Sequence, residues 1–281
     1  MTQTIRVVTG RSRVPSHAPH LDGSWDSHRI TAVLALAMLM PVGAAIHQFG
    51  AALLSPMAVA GALAVAWQAL FARLRKRAFG PDGALTGLAF ALMASPSIPL
   101  WQLALALSFG VVMGEQIFGG RGRNFLNPAV VALAFLFFSF PGAIPAPAGP
   151  GVALASVLSA LVLLGVGLIS WRVLLGIVGG FAGLLLIQGS TTAWDPFLTG
   201  SLVFGVVFLA CDPVAAASTN LGRWLYGLLT GALMVLLGHT GSGPGSPQAV
   251  VFAALVGAVF APLIDQGVIA LNIRIRQRRY G

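Results

Sequence analysis

Charge is what this sequence has least of. Only 8% of its 281 residues are Asp, Glu, Lys or Arg, against about 25% in an average soluble domain. A chain so poor in charge cannot cover itself with a water-facing surface. Cysteine is nearly absent too. One residue, Cys211, excludes an intramolecular disulfide and any cysteine-ligated iron–sulfur cluster built by this chain alone. No nucleophile–base arrangement, P-loop or metal-ligand cluster occurs, so hydrolase and ATPase readings have no support. His47 and His239 lack ligand spacing with a second His, Cys or acid. The polar, basic residues 1–29 contain no apolar core and do not read as a cleavable signal.

What is abundant is apolar surface. Hydrophobic residues make up 57%, with 35 Gly and 17 Pro. Runs such as Val152–Leu168 are apolar throughout, unlike the alternating strands of a membrane barrel. The fold class expected is an all-α polytopic membrane protein of about ten transmembrane helices. Spans are read near 30–48, 52–71, 83–95, 100–118, 127–141, 151–169, 172–188, 198–212, 223–238 and 249–270. Three of them, 83–95, 127–141 and 198–212, are shorter than the roughly 20 residues that cross a bilayer alone. Short, Gly/Pro-interrupted spans in matching halves mark broken helices. Thr86-Gly87-Leu88 to Ser95-Pro96 resembles Thr199-Gly200-Ser201 to Asp212-Pro213, five helices later. An odd offset inverts the second copy, predicting a five-plus-five inverted repeat over about 30–141 and 151–270. A polar segment, 1–29, precedes these halves and a basic tail, 271–281, follows.

The net charge of +9 is explained by placement rather than by nucleic acid. All sixteen Lys and Arg fall in 6–29, 73–77, 121–123, 172, 223 and 274–279. The alternate connections carry none. That asymmetry is the positive-inside rule and predicts cytoplasmic termini. The tail Arg274–Arg279 suits anionic headgroups or a partner subunit. Trp67, Trp101, Trp171, Trp194 and Trp224 fall near span ends, as interfacial anchors do; stacking on a cofactor is the second role open to Trp67 and Trp224.

Two segments carry the chemistry. In Phe118–Ala129, Gly119, Gly120 and Gly122 permit close backbone approach, and Asn127-Pro128 is a helix start with an Asn cap. Asn124 and Asn127 also offer amide donors and acceptors to a planar heterocycle. In Cys211–Gly227, Asp212 ends a short span near membrane depth, where an acid is a functional hypothesis by default; capping a half-helix from Pro213 is its other role. Glu115 is read as snorkelling to the interface or pairing with Arg121 or Arg123. Asp265 is read as pairing with the basic tail or lining a polar pathway.

These motifs resemble the NqrB/RnfD family, the flavin-carrying membrane subunits of sodium-translocating NADH:quinone oxidoreductase and of the Rnf ferredoxin:NAD oxidoreductase. The likeness includes Trp67–Phe71, Ile98–Gln102, Phe118–Ala129, Ser170–Arg172, Asp212–Gly227 and Phe260–Asp265. It implies a bacterial inner-membrane protein that is a non-autonomous oxidoreductase subunit. It further implies a bound flavin (riboflavin or FMN), other membrane and redox subunits as partners, and coupling to Na⁺ or H⁺. Carried over by motif, Gly120, Gly122, Asn124 and Asn127 would contact the flavin and Asp212 would serve the ion pathway. The sequence departs from the family twice. The connection Phe140–Gly151 holds no Ser or Thr, so the family's phosphoester-linked FMN has no hydroxyl there; Ser190-Thr191-Thr192 is a poor substitute in order and place. Ala64-Val65-Ala66-Trp67-Gln68 stands where family quinone reductases show Gly-Gly-Phe-Trp-Glu, which argues against quinone reduction. An inverted-repeat transporter or channel, and a cofactor-free scaffold for redox partners, are the alternative functions.

Overall fold

A computed structural model describes residues 27–76, 80, 82–145, 148–189, 199–239 and 243–280. It contains helices α1 (Ser27–Phe49), α2 (Leu54–Leu74), α3 (Gly83–Met93), α4 (Leu100–Val111), α5 (Pro128–Ser139), α6 (Pro150–Val166), α7 (Trp171–Ile187), α8 (Gly200–Phe204), α9 (Asn220–Gly238) and α10 (Pro247–Tyr280). Two of them continue as π-helix, α4 through Val112–Gln116 and α8 through Gly205–Ala210. No strand occurs among the described residues. The helices fall within a few residues of the spans read from sequence, except that α10 runs on through the basic tail instead of stopping at 270. Ser190-Thr191-Thr192 and Trp194 lie outside the described residues.

Helical stretches Arg29–Leu74, Asn220–Gly238 and Pro247–Gln277 are long and apolar enough to cross a membrane, and the first contains both α1 and α2. The exposed shell is apolar: Leu36, Phe138, Leu154, Leu186 and Ile187 are all more than half exposed. Such a surface is stable only in lipid, where every backbone group bonds within its own helix. The chain is an all-α polytopic membrane protein.

Side-chain contacts fix which helix ends lie together. At one end, Thr31 Oγ1 donates to Asp82 Oδ1 (2.6 Å), Arg75 donates to the Gln116 carbonyl, and Arg172 donates to Asn220 Oδ1 (2.5 Å). At the other, Gly149 N donates to Gln48 Oε1 (2.9 Å) and His239 pairs with Gln188 (2.8 Å). Every described Lys and Arg sits at the first end, and none among the described residues sits at the second. The sequence-read division of charge therefore holds in three dimensions.

The helix contacts pair elements of the two halves. Elements five apart meet across the middle: α1 on α6, α5 on α10, and α3 on the π-segment of α8. Within the halves, α4 lies on α2 and α5 as α9 lies on α7 and α10. Gly149, just before α6, bonds Gln48 near the end of α1, so the second half starts at the opposite end of the bundle from the first. Glycine permits the close approach, most of all where α7 crosses α9. A Cβ on Gly180 would lie 2.3 Å from the Leu228 carbonyl oxygen, and one on Gly231 2.1 Å from that of Ile177. Without a hydrophobic drive between helices in lipid, such backbone contact is what holds them.

Candidate functional site

The short helices create the site. At about 1.5 Å per residue, the eleven residues of α3 cover only about half of a 30 Å bilayer core. The π-segment of α8 ends at Ala210, where the chain turns through Cys211-Asp212-Pro213 to α9. The start of α5 faces this turn. Asn127 caps α5, its Oδ1 accepting from Ala129 N at 2.9 Å with Pro128 at the first helical position. That much follows the sequence reading. Its Nδ2 does something the sequence does not announce: it donates to Asp212 Oδ2 at 2.8 Å, joining the two halves.

Asp212 is not the cap of a half-helix. Residues 213–216 form a turn, and α9 starts at Asn220 under a Thr219 cap. Its Oδ1 accepts from Val214 N at 3.0 Å, so both carboxylate oxygens are held by N–H donors. Neither reading given to Asp265 is what the structure shows. This carboxylate accepts four hydrogen bonds of 2.6–3.0 Å, from the backbone N–H and hydroxyl of both Ser218 and Thr219. It clamps the stretch between Asp212 and α9 onto α10.

The glycine loop between α4 and α5 takes its shape from backbone conformation. Gly119, Gly120 and Gly122 have φ of +113°, +97° and +82°, and a Cβ on either Gly120 or Gly122 would meet open space. Left-handed backbone, not crowding, requires glycine there. Asn124 braces the loop, Oδ1 accepting from Gly122 N (3.0 Å) and Nδ2 donating to the Leu126 carbonyl (2.6 Å).

Two adjoining cavities result. Asn124, Asn127 and Asp212 line a tight inner one of about 50 Å³, room for a few waters, together with Thr86 and Phe208. Gly120 and Gly122 line the larger one, about 310 Å³, with Ile30, Phe71, Gln116 and Arg75. Glu115, Arg121 and Val214 belong to both walls. The structure thus brings the five sequence-nominated residues to one region but divides them between two chambers.

Glu115 corrects the sequence reading. It does not snorkel: it is 1% exposed, and its Oε1 accepts from Gln68 Nε2 and Gln116 Nε2, each at 3.0 Å. Arg121 acts on both Glu115 and Asp212 through space. Gln68 also accepts from Gly83 N at 2.6 Å. Gln116 and Arg121 were not singled out as site residues from sequence. Their only signal was proximity to the glycine loop, and the π-turn that rotates Glu115 inward has no sequence signature. Trp67 is likewise not a simple interfacial anchor, since its Nε1 donates to Ser108 Oγ at 2.8 Å and ties α2 to α4.

Comparison with known proteins agrees with this architecture. A sequence model of the NQR2, RnfD, RnfE family matches residues 14–149 and 142–274. The chain is similar to the NqrB subunit of the Na(+)-translocating NADH-quinone reductase of Ectopseudomonas mendocina (strain ymp), with 35% identity over 268 residues covering 76% of this chain and 66% of the relative. The corresponding protein of Stutzerimonas stutzeri (strain A1501) is also 35% identical, and that of Pseudomonas aeruginosa (strain LESB58) is 33% identical, with the same shares covered. The chain spans 66% of the length of these curated relatives. With its family match running nearly end to end, the chain belongs to the NQR2, RnfD, RnfE family.

Proposed function

We propose that this chain is a membrane subunit of an ion-translocating electron-transport complex of the Nqr/Rnf type, and that it passes electrons through a non-covalent flavin between redox partners on other chains. Family membership, joined to a cavity of about 310 Å³ under the glycine loop, carries this reading. Small-ligand sites run from about 300 Å³ upward and combine apolar walls with few polar groups. Here Ile30, Phe71 and Ala72 supply apolar wall, and Gln68, Gln116 and Arg121 supply the polar edge. That set fits an isoalloxazine ring, whose faces are apolar and whose edge alternates donors and acceptors.

A bound flavin would supply one- or two-electron transfer; the protein supplies place, hydrogen bonds and a water-poor path. Gly120 and Gly122 would present bare backbone to the ring. Asn124 and Asn127 line the neighbouring chamber and use most of their capacity on the protein, so their part is to hold the glycine loop in place over the ring. Asp212 lines the inner chamber beside the path and is the acid that serves passage of Na⁺ or H⁺. The basic end faces the cytosol of the bacterial inner membrane, with both termini on that side. Partner subunits supply the electron donor and acceptor.

The visible spectrum of the purified protein tests this. A flavin band at close to one per chain is expected, and it is expected to vanish when Asn124 and Asn127 are both replaced by Leu. A colourless, folded wild-type protein would overturn the reading. On a denaturing gel no flavin fluorescence is expected; a fluorescent band would overturn the non-covalent assignment.

A further inference from the structure

Glu115 is the one charged side chain among the described residues that is fully buried. It lies in the π-segment that ends α4, where an extra residue per turn carries its side chain into the wall between the two cavities. Its two oxygens are unequal. Oε1 takes both amide hydrogen bonds, from Gln68 on α2 and from Gln116 beside it. Oε2 has no partner among the described residues.

Its charged surroundings are Arg121 of the glycine loop, Asp82 before α3 and Asp212 after α8. Arg75, just after α2, lines the larger cavity and is tied to the Gln116 carbonyl. Alkali cations need several oxygen ligands, as hard cations do. The groups pointing at Glu115 are N–H donors, which repel a cation. A proton needs only one lone pair, and Oε2 offers it. Asp212 differs in geometry, because each of its oxygens accepts one N–H donor, from Asn127 and from Val214.

We infer that Glu115 is a proton-exchanging carboxyl linking the larger cavity to the Asp212 chamber. Oε2 takes a proton from water on one side, becoming a carboxylic acid, and returns it to water on the other, becoming a carboxylate again; nothing else is consumed. The neutral amides of Gln68 and Gln116 suit this cycle. They can donate either to a carboxylate oxygen or, more weakly, to an acid carbonyl, so neither protonation state strands a buried donor. The inference deepens the proposed function, resting on its premise that charge moves through this site.

Infrared difference spectra of the full chain, recorded while pH is stepped in H₂O and in D₂O, test it. The expected result is a carboxylic-acid carbonyl band that grows on acidification, shifts in D₂O, is lost in Glu115→Gln and survives in Asp212→Asn. Persistence of the band in Glu115→Gln, or no D₂O-sensitive band in the wild type, would overturn the inference. Should Glu115→Gln fail to fold, Glu115→Asp takes its place: a displaced band supports the assignment and an unmoved band sinks it. Flavin absorbance of the same samples is read separately, so a colourless protein that keeps the Glu115 band defeats the electron-transfer reading alone.

Discussion

Asn127 and Asp212 lie 85 residues apart and join through one hydrogen bond of 2.8 Å. The donor caps a helix of the first half, and the acceptor ends a broken helix of the second. One side chain therefore performs two jobs that substitution can separate.

Serine at 127 still caps a helix but is too short to reach Asp212. Asn127→Ser should keep α5 intact and free one Asp212 oxygen. Asn127→Ala should lose the cap as well, at a further cost of about 1 kcal/mol. Thermal unfolding in detergent would rank wild type above Asn127→Ser above Asn127→Ala. Equal midpoints for the two variants would contradict the capping role.

The α7–α9 crossing predicts a contrast between glycines. Gly231→Ala places a Cβ 2.1 Å from the Ile177 carbonyl oxygen and must push the helices apart. Overpacking of this kind costs about 1–3 kcal/mol. Gly183 has open space where its Cβ would go. Gly183→Ala should be neutral or gain about 0.5 kcal/mol from reduced backbone freedom. Unfolding midpoints of the two variants measure the difference directly.

Gln68 carries the amide that Glu115 needs. Gln68→Glu replaces an N–H donor with a second carboxylate 3.0 Å from the first. An unpaired buried charge costs about 3 kcal/mol or more. Adding Glu115→Gln to that variant exchanges acid and amide and should recover most of the loss. A double-mutant cycle showing simple additivity would mean the two residues do not interact.

The two ends of the bundle can be told apart chemically. With Cys211 replaced by Ala, single cysteines at Arg73 and Asn220, both exposed at the basic end, should react with a membrane-impermeant thiol reagent from the same side of the membrane. A cysteine at Ser97, exposed at the other end, should react only from the opposite side. Labelling of Arg73→Cys and Asn220→Cys from opposite sides would dismantle the topology.

Much of this protein was written in its linear order. Hydrophobic runs and the confinement of Lys and Arg to alternate connections set the number of helices and which ends share a side, because lipid leaves an apolar segment one way to satisfy its backbone. Asn127-Pro128 announced a helix start, and a cap depends only on neighbours in sequence. What the sequence could not decide was long-range. Glu115 looked like a surface acid beside two arginines; a π-turn and the amide of Gln68 made it a buried one. Asp212 read as an acid at membrane depth or a cap; Asn127, 85 residues away, made it a link between halves. Asp265 gained four donors from a loop 46 and 47 residues away. Patterning along a chain records what each residue prefers to face, while the partner of a buried polar group is chosen by how helices cross, and glycines such as Gly180 and Gly231 set that only once the backbones have met.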